Sequence, residues 1–79
     1  MNNEFKMICP CCEHKTISDE YDICPVCFWE YDKSQNEKPY STGGANNVSL
    51  NEARANYSRY KACEKRFIEN VREPLPEEE

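Results

Sequence analysis

From Val48 onward the apolar residues recur at spacings of three and four. At 100° per residue, Leu50, Ala53, Tyr57, Tyr60, Phe67, Ile68 and Val71 fall on one broad face, the pattern of a helix laid against a core. The start is well marked: in "VSLNEA" Ser49 stands as N-cap with Glu52 three residues on, a capping box. Val48 and Ala53 are placed to staple that first turn. Glu64 interrupts the apolar face: either it has a buried partner in one continuous helix, or, the preferred reading, the helix breaks near Lys61–Ala62 and a shorter second helix follows. Pro74 and Pro76 end the helical region, and "EPLPEEE" reads as a frayed acidic tail.

Upstream the periodicity changes. Residues 1–32 alternate in short segments of strand and turn character and hold five of the six cysteines. Residues 33–47, "KSQNEKPYSTGGANN", have no apolar period and carry Pro39 and the Gly43–Gly44 pair, so they read as a polar loop. The expected organisation is one domain over 1–79: a cysteine part (1–32), a loop (33–47), a helical part (48–72) and a tail (73–79).

Length makes the cysteines matter. A chain of 79 residues buries a small share of its surface, and with 38% apolar and 32% charged residues its core alone is marginal. Such domains add disulfides, a metal or a partner. The opening "MNNEFKMICP" has no signal-peptide pattern, and no stretch has the length and apolarity of a membrane span. The expectation is therefore a cytoplasmic chain, a reducing setting in which paired CxxC motifs hold metal rather than disulfides.

Cys9-x-x-Cys12 and Cys24-x-x-Cys27 are eleven residues apart. Two cysteines spaced by two can present both sulfurs to one ion from a tight turn, and two such turns complete a tetrahedral Zn²⁺ shell. Proline follows the first cysteine in both motifs, fixing φ near about −65° at a turn position. The predicted metal ligands are Cys9, Cys12, Cys24 and Cys27, with one Zn²⁺ per chain. Four thiolates on a divalent ion would lower the formal charge from −5 to −7, which disfavours a phosphate backbone as main partner.

Aligning "CPCC" on "CPVC" sets Cys11 opposite Val26 and makes it the surplus thiol. Three roles are open to it: a small buried residue, a donor to a ligand sulfur, or a redox-labile thiol, the last disfavoured because neighbouring thiolates raise its pKa. His14, two residues beyond Cys12, is too close for an ordinary knuckle ligand and is expected as an exposed loop residue. Cys63 is expected as a packed small residue. In "CFWEYD", Phe28, Trp29 and Tyr31 either cover the metal site or form an aromatic–acidic recognition patch anchored by Trp29. Arg54, Lys61, Lys65 and Arg72 share one angular position if the helix is continuous, a solvated face or a thin nucleic-acid signal.

Taken together, "CPCC…ICPVCFWEYD", "GGANNVSLNEARANY" and "RYKACE" resemble the small bacterial cysteine-rich CPCC family over about Cys9 to Val71. The resemblance implies a zinc-ribbon-like N-terminal half and a helical C-terminal half, carries the same four cysteines as ligands, and implies no reaction. A glycine often follows a zinc knuckle; Glu13 and Phe28 stand in those places. The expected fold is thus a small α+β metal-stabilised domain, a zinc-ribbon or rubredoxin-like double knuckle with short strands and a C-terminal helical segment. The expected function is a non-enzymatic module with structural zinc that binds another protein and no membrane. A nucleic-acid-binding regulator is the alternative, and a thiol redox protein ranks below it for want of a βαβ context.

Overall fold

The computed structural model describes residues 6–79; residues 1–5, counted above in the cysteine part, lie outside the described residues. Two short strands, β1 (Met7–Ile8) and β2 (Lys15–Ile17), pair antiparallel across the first knuckle, with Met7 opposite Ile17 and Ile8 opposite Lys15. The register shifts between Met7 and Ile8, the mark of a bulge. A second, thinner hairpin follows. The Ile23–Glu30 bridge and the Tyr31 N–H to Asp22 O bond (2.9 Å) close it, with the second knuckle at its tip. Helices α1 (Lys33–Glu37) and α2 (Leu50–Tyr60) come next, then 3₁₀ turns over Lys65–Asn70 and Pro76–Glu78. Among the described residues no helix is long and apolar enough to cross a membrane.

Helix α2 begins where the sequence places it. The Ser49 hydroxyl accepts from the Glu52 N–H at 3.1 Å, while the exposed Glu52 carboxylate makes no return bond, so half of the box forms. Leu50 and Ala53 are its buried face. The break comes at Lys61, which adopts φ 62° and donates its N–H to Tyr57 O at 2.8 Å. A helix running on would carry Cys63 away from the knuckles. Turning instead lets the Cys63 N–H reach Cys27 O at 2.7 Å, while Asn56 Nδ2 donates to Cys63 O at 2.9 Å. Glu64 leaves the apolar face altogether and pairs with Arg66 at 2.8 Å.

The core is built largely of sulfur. All six cysteines are buried, together with Ile17, Val26, Trp29, Leu50 and Ala53. Trp29 is 0% exposed and its Nε1–H donates to Asn36 Oδ1 at 3.0 Å, so of its two expected roles it takes the core one. An indole with no exposed surface cannot anchor a partner, and that part of the expected interface is corrected. Phe28 and Tyr31 stay partly buried against the same cluster, with Phe28 and Phe67 at 4.5 Å between ring centroids.

Two segments differ from their expected character. Residues 33–47 begin with helix α1 and, though most of their side chains are exposed, are anchored by the buried polar groups of Gln35 and Asn46. Asp32 caps α1 through Gln35 N–H (3.2 Å) and takes Ala45 N–H on its other oxygen (2.9 Å). Gln35 Nε2 reaches the carbonyls of Ser41, Asn46 and Val48, and its Oε1 accepts from Asn46 N–H and Nδ2 at 3.0 Å each. Gly44 is needed there because a Cβ would stand 2.8 Å from Asp32 Oδ2. The acidic tail is docked, not frayed. Glu78 is buried and takes both guanidinium nitrogens of Arg72, at 2.9 and 2.8 Å, and the Leu75 N–H at 2.8 Å, and its turn packs against β2. The Arg72 guanidinium beside it holds the Glu78 carboxyl below the usual carboxylate range.

Candidate metal centre

Each CPxC segment folds into the same turn. In the first, Cys9 N–H donates to His14 O (2.9 Å) and Glu13 N–H to Cys9 O (2.7 Å). In the second, Cys24 N–H donates to Trp29 O (2.9 Å) and Phe28 N–H to Cys24 O (2.8 Å). The bonds connect residues at matching offsets, and the residue after each second cysteine is left-handed: Glu13 at φ 68° and Phe28 at φ 73°. These are the places where a glycine would be at ease. Non-glycine residues take them at a cost of roughly 1–2 kcal/mol each, which the closed turn must offset. Each knuckle also offers its proline carbonyl to the C-terminal half: Arg54 Nε donates to Pro10 O at 2.8 Å, and the Arg72 N–H to Pro25 O at 3.1 Å.

Together the turns bring the Sγ atoms of Cys9, Cys12, Cys24 and Cys27 within 4.8 Å of one another, all four residues buried. Cys9 and Cys27 stand 3.6 Å apart and Cys12 and Cys24 3.7 Å. A tetrahedron with metal–sulfur bonds of about 2.3 Å has edges of about 3.8 Å, close to the Cys9–Cys27 and Cys12–Cys24 separations, so the group is of a size to close on one tetrahedral ion. The donor set is sulfur alone, which suits zinc or iron and excludes the oxygen-seeking ions.

The electrostatics of the cage follow from crowding. Four thiolates this close repel, so without a cation the thiols divide protons among themselves. Hydrogen bonding from Cys12, then Cys27 and Cys9, holds the Cys24 thiol far below its usual range. Hydrogen bonding to Cys24 pushes Cys12 up, and contact with Cys11 first, then the other three cysteines, pushes Cys27 up. A bound metal ion would replace those protons. Cys24 carries two further neighbours suited to a thiolate: the Thr16 hydroxyl at 3.0 Å and the Val26 N–H at 3.4 Å. Thr16 was not singled out in the sequence, where only its place in a short strand marks it.

The remaining candidates are placed as follows. Cys11 is buried and outside the group of four, beside Cys27. Cys63 is buried, and that burial pushes its thiol up. His14 is half-buried rather than exposed, because its carbonyl closes the first knuckle. Its ring lies edge-on to Tyr57 at 6.5 Å, with Nδ1 enclosed and unpartnered among the described residues. Tyr57 is itself pushed up to about 12, first by burial. The basic stripe does not form, since the chain turns at Lys61; Arg54 serves Pro10 and Arg72 serves Glu78.

The family model described as Cysteine-rich CPCC matches residues 7–78, nearly the whole chain. Among curated proteins none matches.

Proposed function

The chain belongs to the cysteine-rich CPCC family, and from that premise we infer that it is a non-enzymatic module, stabilised by one structural zinc ion, that works by docking on another protein. The observation that carries the zinc reading is the buried cage of Cys9, Cys12, Cys24 and Cys27. Four thiolates fill the coordination of a tetrahedral ion and leave no position for water or substrate, the arrangement of structural rather than catalytic zinc. In a chain whose core is so largely cysteine, metal binding energy is folding energy. The Thr16 hydroxyl and the Val26 N–H temper the charge on Cys24 and orient its sulfur.

Native mass spectrometry tests the reading. One zinc per chain is expected, lost in Cys9→Ser and Cys24→Ser and kept in Cys11→Ser. Stoichiometric iron with visible absorption would replace zinc with a redox ion. A wild-type chain that purifies folded without metal would remove the premise.

A further inference from the structure

We propose that the face made by the C-terminal turns of α2 and the 3₁₀ turn at Lys65–Asn70 docks an acidic polypeptide segment carrying one apolar side chain. The proposal rests on the protein-docking reading above and specifies the partner's chemistry. Charge is unevenly divided along the chain. Residues 59–73 hold five of the ten basic residues and three of the fifteen acidic ones, so this segment is positive by two while the rest is negative by seven. The turn at Lys61 does not disperse these charges. It leaves Lys61 and Arg72 in the lining of a cleft, with Arg59 and Lys65 over Tyr60, one of its walls.

The cleft measures about 220 Å³. Tyr57, Tyr60, Ile68, Val71 and Pro74 give it apolar walls, and Lys61, Arg72 and one carboxylate, Glu73, line it as well. Ile68 is 45% exposed, an apolar side chain left at the surface beside the opening. Arg59 lies over the Tyr60 ring at 5.3 Å, Lys65 over the same ring at 5.8 Å, and Lys61 over the Tyr57 ring at 5.6 Å. None of the three has a carboxylate partner among the described residues, whereas Arg66 and Arg72 are paired with Glu64 and Glu78. Rings beneath the cations restrain long side chains that would otherwise lose much freedom on pairing. Three restrained, unpaired cations beside an apolar cleft complement a segment of carboxylates flanking one apolar residue.

The same contacts argue against a single-stranded nucleic acid. Base recognition there depends on aromatic faces open for stacking. Here Tyr57 and Tyr60 are already covered by Lys61, Arg59 and Lys65, and Phe67 by Arg66 at 4.3 Å and Phe28 at 4.5 Å. A second copy could offer its acidic surface, but a basic face meeting a different, acidic face is a heterologous contact, which gives a ring or an open chain of copies rather than a simple two-fold dimer. A separate acidic partner is the occupant that satisfies both constraints.

The test uses zinc-loaded chain and a fluorescein-labelled peptide of glutamates flanking a single leucine, read by fluorescence anisotropy at low ionic strength. Binding is expected to weaken with added salt. It should weaken by about tenfold in the Lys61→Gln/Lys65→Gln double variant and by a few-fold in Ile68→Ser. A Lys33→Glu control, outside this face, should bind like wild type. Zinc content and near-UV circular dichroism are followed throughout, so loss of the cage is told apart from loss of the face. No binding by metal-loaded, folded protein overturns the proposal. So does equal weakening in the Lys33→Glu control, tighter binding of a single-stranded oligonucleotide than of the peptide, or concentration-dependent self-association that alone accounts for the signal.

Discussion

Asn46→Ala should destabilise this domain far more than a loop substitution normally does. Asn46 is 7% exposed and locks the 33–47 segment to the second hairpin. Its Oδ1 accepts the Glu30 N–H at 2.8 Å, and its Nδ2 donates to Glu30 O at 2.9 Å and to Gln35 Oε1 at 3.0 Å. Alanine removes all three bonds and leaves the Glu30 N–H and C=O without those partners. At about 1 kcal/mol per net bond, plus the desolvation cost of a stranded buried group, the loss comes to about 3–4 kcal/mol. A domain of this size holds roughly 4–12 kcal/mol in total, so the change is a large share of its stability. Urea denaturation of metal-loaded protein, followed by Trp29 fluorescence, measures it, with metal content checked at zero denaturant. A loss under about 0.5 kcal/mol would refute the buried network and return the segment to a solvated loop.

Two further substitutions probe neighbouring features. The Asp32 carboxyl is held below its ordinary range, first by the Ala45 N–H and also by the Gln35 and Ser34 N–H groups, against the opposing effect of burial. Its folded pKa is therefore below its unfolded one, so its stabilisation is complete above the unfolded value of about 3.9 and is lost as pH falls through the folded value. The stability gap between wild type and Asp32→Asn should be constant from neutral pH down to about 5 and shrink only below about 4; a gap that closes between pH 7 and 5 would contradict this assignment. At the first knuckle, Glu13→Gly should relieve the left-handed strain and add up to about 1 kcal/mol after the entropy glycine brings to the unfolded chain. Phe28→Gly at the matching position should destabilise instead, because Phe28 packs on Phe67. Denaturation midpoints decide both, and a destabilising Glu13→Gly would remove the strain argument.

What the chain reveals by itself follows from how local each feature is. The cysteine cage was legible because each half is a four-residue motif whose spacing alone sets the geometry, and because the repeat of CPxC singles out Cys11. The start of α2 was legible from Ser49; its end was only suggested by Glu64, since a buried partner could equally have held that carboxylate in one continuous helix, and the structure places the end at Lys61. The Asp32–Gln35–Asn46 network was not, since its partners lie 11 to 16 positions apart and their side chains are those of ordinary solvated loops. Glu78 hid in a run of identical acids; only the folded chain shows which one meets Arg72. Trp29 stayed ambiguous because a short hairpin strand has two faces, and sequence alternation does not say which is covered.

Metal binding and folding are coupled in this domain if the four-cysteine cage holds it together. The direct measurement is a chelator titration of the purified chain, with zinc release and Trp29 fluorescence recorded together. Zinc and burial of the indole should be lost in one transition, restored by added zinc, and the metal-free chain should melt without cooperativity. A chain that gives up its metal yet keeps Trp29 buried and unfolds cooperatively would contradict the claim that the four-cysteine cage holds this domain together.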